Sequence, residues 1–292
     1  AINYLNKVEV SDHERHLIKS LYTENLINLG RAGEAERWSK ENNVQLSIHN
    51  IDARLYLRQG KLELAKELLS ERIEKKPFYW EEAHRTTDLL LVLIDVLMGE
   101  NEQAYSRIIG GGKEDLVDMP YTLALTKLRK GLALLNIESS NLEKAKRCFD
   151  ETLELLNEIH VNRVKAECYM GLILYYHNNV PEAKRHAQMG LRETNKVQDY
   201  WMSAFLLSAL TKVLAESAHY EEALDTAAQA LSYFEKSEDN YGRMVCSFWL
   251  AYCYAKTNQL DEAKQFYETY FELSLTLYPY FNKKKTLFGP NY

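Results

Sequence analysis

Ala251-Tyr252-Cys253-Tyr254-Ala255-Lys256-Thr257-Asn258-Gln259-Leu260-Asp261-Glu262-Ala263 is the stretch on which the fold turns. It reads as the end of one amphipathic helix, a short polar break, and the start of another. Asp261 and Glu262 fall in the first turn of the second helix, where the partial positive charge of a helix start favours acids. Ala263 is small where two helices cross at close range, and a larger side chain would push them apart. The phrase returns upstream as Tyr220-Glu221-Glu222-Ala223, Val180-Pro181-Glu182-Ala183 and Asn141-Leu142-Glu143-Lys144-Ala145. Three earlier copies begin on glycine: Gly99 to Ala104, Gly60 to Ala65, and Gly33-Glu34-Ala35. From Ala35 to Ala263 the marker alanines step by 30, 39, 41, 38, 40 and 40 residues, and five consecutive steps within two residues of 40 make a repeat. The small residue that opens each copy is expected to end the first helix of its pair. Pro181 is expected at the first position of a helix, which tolerates it.

The rest of the chain agrees. Only 5 prolines and 12 glycines interrupt 292 residues, and apolar positions recur at helical spacing throughout. One such unit cannot bury its apolar face alone, so the units must stack. The expected fold is all-α, a right-handed α-α solenoid of about seven helix pairs, with units of about 40 residues. Residues 1–278 are expected to form one superhelical domain. Residues 279–292 are expected to be a C-terminal tail, a cut linker toward a further domain. The expected weak joints are 108–120, around Gly110-Gly111-Gly112, and the aromatic loop Pro77-Phe78-Tyr79-Trp80.

Composition excludes several classes. A net charge of −6 gives no overall attraction to nucleic acid or to an anionic membrane. The longest apolar run, Leu89 to Met98, contains Asp95 and is far shorter than the ~20 residues of a membrane span. Cys148, Cys168, Cys246 and Cys253 form no CxxC pair, the usage of free thiols in a reducing cytoplasm. Gly110-Gly111-Gly112-Lys113 lacks the spacing and the Ser or Thr of a phosphate loop. His13-Glu14-Arg15-His16 is not the HExxH of a zinc protease; Ser11 and Glu14 instead suit a capping box. No nucleophile elbow or Cys-His pair can be nominated. No catalytic residue, cofactor or metal is therefore expected.

The repeat resembles the tetratricopeptide repeat, with a small residue near position 8, an aromatic near 11 and alanine near 20. Ala251, Tyr254 and Ala263 hold those places in the last unit, and Ala53, Tyr56 and Ala65 in the second. Gly171 and Ala183 hold two of them in the fifth. Gly131 to Ala145 is two residues too long, which places an insertion in the turn from Ile137 to Asn141. A narrower resemblance lies in Arg31 to Trp38 followed by Ala53-Arg54-Leu55-Tyr56-Leu57-Arg58-Gln59-Gly60-Lys61-Leu62-Glu63-Leu64-Ala65. That stretch is similar to the repeat region of large ATP-dependent bacterial transcription regulators of the maltose-activator type. The resemblance implies a cytoplasmic sensor and self-association segment that binds no nucleic acid itself. Two alternatives stand beside it: a free-standing scaffold for a protein partner, and a peptide-sensing regulator of the quorum type.

In such a solenoid the first helix of each pair lines the concave side. Counting back from the marker alanines places Arg54, Arg58, Tyr175, Tyr176, Lys212 and Tyr252 on it. Tyr, Arg and Lys together suit a peptide, a protein segment or a small effector, held by stacking and hydrogen bonds.

Overall fold

The computed structural model describes residues 11–46, 50–75, 81–110, 119–159, 161–277 and 286–290. Among these residues there are fourteen α-helices and no strand. They form seven pairs: α1 (Asp12–Asn28) with α2 (Ala32–Glu41), α3 (Ile51–Arg58) with α4 (Leu62–Lys75), and α5 (Glu81–Leu97) with α6 (Asn101–Gly110). Then come α7 (Pro120–Leu134) with α8 (Leu142–Leu155), and α9 (Asn162–Tyr175) with α10 (Val180–Val197). The last two are α11 (Tyr200–Glu216) with α12 (Tyr220–Ser237), and α13 (Asn240–Lys256) with α14 (Leu260–Leu277). Successive helices pack on one another, and first helices also touch the first helices of neighbouring units, as α5, α7, α9, α11 and α13 do. First helices thus form the inner layer of a curved stack. The fold is an α-α solenoid of the expected class.

The repeat phrase works as its chemistry predicts. The marker alanines Ala35, Ala65, Ala104, Ala145, Ala183 and Ala223 are all fully buried, and Ala263 nearly so. Small first-helix residues have an equally direct cause. A Cβ on Gly131 would sit 2.6 Å, and one on Gly171 2.5 Å, from the ring of Phe149, which α8 inserts between α7 and α9. Ser11 and Glu14 form the capping box of α1. Asn179, Asp199 and Asp239 cap α10, α11 and α13, accepting from the third amide along. The insertion in the fourth unit is a turn of 3-10 helix, Ser139–Asn141. The four cysteines form no disulfide, and three of them are buried.

Three expectations need revision or fall outside the structure. Gly33 does not end α1; it lies inside α2, and the left-handed turn residue is Gly30 (φ +74°). Gly30 precedes Ala35 by the same five residues as Gly60 precedes Ala65, so the short step of 30 reflects the short helices between them, α2 of 10 residues and α3 of 8. Residues 286–290, expected in a tail, are docked. Thr286, Leu287 and Phe288 are buried, the Trp249 indole donates to the Phe288 carbonyl at 2.9 Å, and Phe288 packs on Phe205. Gly111 to Gly112 and Pro77 to Trp80 lie outside the described residues.

The solenoid closes on itself. The turn between α1 and α2 seats on the start of α11, and the turn between α3 and α4 seats on the start of α13. A Cβ on Gly30 would meet the Trp201 amide at 2.8 Å, and one on Gly60 would meet the Tyr241 Cβ at 2.5 Å. The Asn240 amide donates to the Gln59 carbonyl at 3.4 Å, the Tyr241 hydroxyl to the Leu97 carbonyl at 3.0 Å, and Arg37 to Glu238 at 3.1 Å. Gly30, Gly60, Ala218 and Asn258 all occupy the left-handed region in equivalent turns. A side chain is accommodated at Ala218 and Asn258, so handedness alone does not demand glycine. Glycine stands at 30 and 60, where another part of the chain presses on the turn.

Candidate functional site

Closure leaves a cavity of about 790 Å³ on the inner side. Its wall runs from the C-terminal end of α1, through α3, α5 and α7, to the N-terminal ends of α9 and α11. Leu57, Leu90, Leu93, Leu125, Val164 and Trp201 supply apolar surface. Between them stand four asparagines, Asn25, Asn28, Asn50 and Asn162, and four arginines, Arg54, Arg58, Arg129 and Arg163.

Three of the arginines are neutralised within the wall. Arg54 donates to Glu24 at 2.5 Å and to the Asn28 side chain at 2.7 Å. Arg129 forms a buried two-point pair with Glu167 and donates to the Leu89 carbonyl. Arg163 donates to Asp199 at 2.6 Å, to the Asn28 side chain at 2.9 Å, and to the Asn28 carbonyl. Asn28 thereby ties the first unit to the second and the fifth.

Arg58 is different. It is 5% exposed, it makes no hydrogen bond or ion pair among the described residues, and its Nη1 is buried without a partner. Its guanidinium lies flat over the Trp201 ring, 3.6 Å from the centroid. Burial, then the neighbouring Arg163, pushes it well below the usual arginine range. The Trp201 indole in turn donates to Asp239 at 2.6 Å. Burial pushes the Asp239 carboxyl up to about 7, against the opposing pull of the Gly242 amide and the indole.

Of the six residues expected on the concave side, Arg54 and Arg58 line this cavity. The other four lie elsewhere. Lys212 is 3% exposed and donates to the Gly289 carbonyl of the docked segment. The Tyr175 hydroxyl donates to Glu143 at 2.5 Å, which pushes it up to about 12. Tyr176 stacks on His186 at 5.2 Å, and Tyr252 packs edge-on against Trp249 at 5.7 Å. Counting from the alanines finds the correct helices but not the height along them. The cavity climbs across the stack and reaches only the N-terminal half of α9 and the first turn of α11, whereas Tyr175 and Tyr252 sit near the far ends of α9 and α13. The asparagines and Arg129 and Arg163 were not anticipated. Their trace in the sequence is charge recurring one repeat apart: Arg129 with Glu167, and Arg163 with Asp199.

A scan against protein-family models finds no match, and neither does a search of curated proteins. Among solved structures the chain is similar to a Rap protein complexed with competence and sporulation factor. The TM-score is 0.65 at 15% identity, over 90% of this chain and 78% of that one. The fold is tetratricopeptide-like. At that identity the likeness is one of architecture. Among the described residues no helix is long and apolar enough to cross a membrane, and no cluster of three metal-ligating side chains occurs.

Proposed function

We propose that this chain is a non-catalytic receptor for a short linear peptide, which it holds in the inner cavity to control a regulatory partner. The observation that carries the reading is the pairing of asparagine carboxamides with an apolar wall in one half-open cavity. A carboxamide offers a donor and an acceptor side by side, the complement of a peptide unit, and the leucines take up side chains. Asn50 spends both on Thr87 and Arg72, Asn28 its oxygen on Arg54 and Arg163, and Asn162 its amide on Glu193, which leaves the Asn25 carboxamide, the Asn28 Nδ2 and the Asn162 Oδ1 for a ligand. A volume of about 790 Å³ lies within the ~300–1,000 Å³ of ordinary ligand sites. The similar Rap structure carries a bound factor, which supports the receptor reading over that of a bare scaffold.

Binding would act by population shift. A ligand touching α1 and α3 on one side and α9 and α11 on the other gains contacts only when the solenoid is closed. It therefore favours the closed form, with a consequence for any surface that the closure shapes. The likeness of residues 31–65 to maltose-activator-type regulators fits the same sensing role with a sugar as effector. The cavity favours a peptide: one face of Trp201, which a sugar ring would need for stacking, is already covered by Arg58.

The test is to pan a display library of random linear peptides against the whole chain. Recovered peptides are then titrated against the wild type and Leu125→Trp, which fills the half-buried middle of the cavity. Maltose and maltotriose are titrated alongside. The proposal expects peptides that bind the wild type and lose at least tenfold in affinity with the variant, its melting having been checked. Saturable sugar binding with no cavity-dependent peptide would reject it.

A further inference from the structure

The cavity wall holds four arginines against three carboxylates, Glu24, Glu167 and Asp199, which leaves an excess of one positive charge. Each carboxylate bonds a different arginine, Arg54, Arg129 or Arg163, so the excess is located on Arg58. We infer that Arg58 is the anchor for a carboxylate on the bound ligand.

The inference rests on the peptide-receptor reading and adds the charge and position of the group that is recognised. A buried guanidinium without a partner is costly, and proteins resolve that cost by pairing the charge. Asp199 and Asp239 attract Arg58 electrostatically, but Asp199 bonds Arg163 and Asp239 bonds the Trp201 indole, so Arg58 has no hydrogen-bonded partner. Trp201 holds the guanidinium flat by its ring face, which fixes its plane and leaves its N–H edge for in-plane acceptors. Nη1 is shielded from solvent and therefore from a ligand as well, so the acceptor would meet the guanidinium along its Nε–Nη2 edge. A carboxylate fits that edge bidentately, and a neutral carboxamide offers a single acceptor oxygen. On a peptide the carboxylate has two sources, the C-terminus or an Asp or Glu side chain, and both present the same two oxygens.

The experiment uses one recovered peptide in three forms: the free acid, the C-terminal amide, and the Asp→Asn or Glu→Gln form. Each is titrated by fluorescence polarisation against wild type, Arg58→Gln, Arg58→Lys and Leu125→Trp. The expected result is that one neutralisation weakens binding to wild type at least tenfold, and to Arg58→Gln less than twofold. The form that shows this loss identifies the source of the carboxylate. Arg58→Lys keeps the charge but not the fork, and should fall between them. Equal losses with wild type and Arg58→Gln would overturn the anchor while leaving the receptor reading intact. Undiminished binding to Leu125→Trp would instead overturn the receptor reading. If Arg58→Gln does not fold, wild type and Arg58→Lys decide. An acid-to-neutral loss that is the same for both overturns the anchor, and one that is smaller for Lys supports it.

Discussion

The guanidinium of Arg58 rests 3.6 Å from the ring centroid of Trp201, joining the second repeat to the first turn of the sixth. The two residues are 143 positions apart, and nothing in the local sequence of either announces the other. The contact exists because the solenoid closes. The same closure makes the cavity and buries Arg58 in its wall.

Trp201 is the joint of that arrangement, since it supports Arg58 and donates to Asp239. Trp201→Phe removes the indole donor and leaves a buried carboxylate short of a hydrogen bond, which is expected to cost about 1–3 kcal/mol. Loss of the donor raises the Asp239 carboxyl further above its present value of about 7. A raised acid pKa in the folded state weakens stability as pH climbs through it. The deficit of the variant in urea melts should therefore be larger at pH 8 than at pH 6.

Gly30 and Gly60 should be specific to closure. Alanine at either position is opposed by the facing backbone of Trp201 or Tyr241 as well as by the left-handed conformation. Ala218 holds the same conformation without those neighbours, so backbone strain alone is bearable, at about 1–2 kcal/mol. The double variant Gly30→Ala, Gly60→Ala is expected to keep its helical circular dichroism and to show a larger radius of gyration by small-angle X-ray scattering. An unchanged radius would mean that these turns do not hold the solenoid shut.

His186 should make the fifth repeat sensitive to acid. Burial first, then Arg185, pushes its imidazole down to about 4; Lys146 adds to this, while Glu182 and Asp150 oppose it. The unfolded chain binds a proton near pH 6.5, whereas the folded chain binds it only near 4. The stabilising contribution is thus complete above about pH 6.5 and drains away as pH falls toward 4. His186→Phe keeps a ring against Tyr176 and removes the titration. Its melting temperature should fall less than that of the wild type between pH 7 and pH 5. Parallel curves would refute the assignment.

Much of the fold was legible because it is local. A buried alanine, an acidic first turn and a turn glycine each act within a few residues, and the repetition of the phrase amplifies a weak signal. Ala263 and Ala65 could be placed in this way, and Gly171 could be recognised as a tight position before Phe149 was known to fill it. The site was only partly legible because it depends on pitch. Arg54 and Arg58 line the candidate cavity, since one helix face suffices to place them on the inner side. Asn28 and Arg163, 135 residues apart and hydrogen bonded, could not be paired without knowing that the first repeat returns to the fifth. Lys212 was misplaced because the segment that covers it, 286–290, carries no repeat signature.

The most direct measurement is hydrogen–deuterium exchange on the whole chain, with and without a saturating recovered peptide. Slower exchange is expected at the C-terminal end of α1, in α3, in the N-terminal half of α9 and in the first turn of α11, together with slower exchange in the turns at Gly30 and Gly60 as closure tightens. Protection confined to the outer helices, with those cavity segments unchanged, would contradict binding in the cavity.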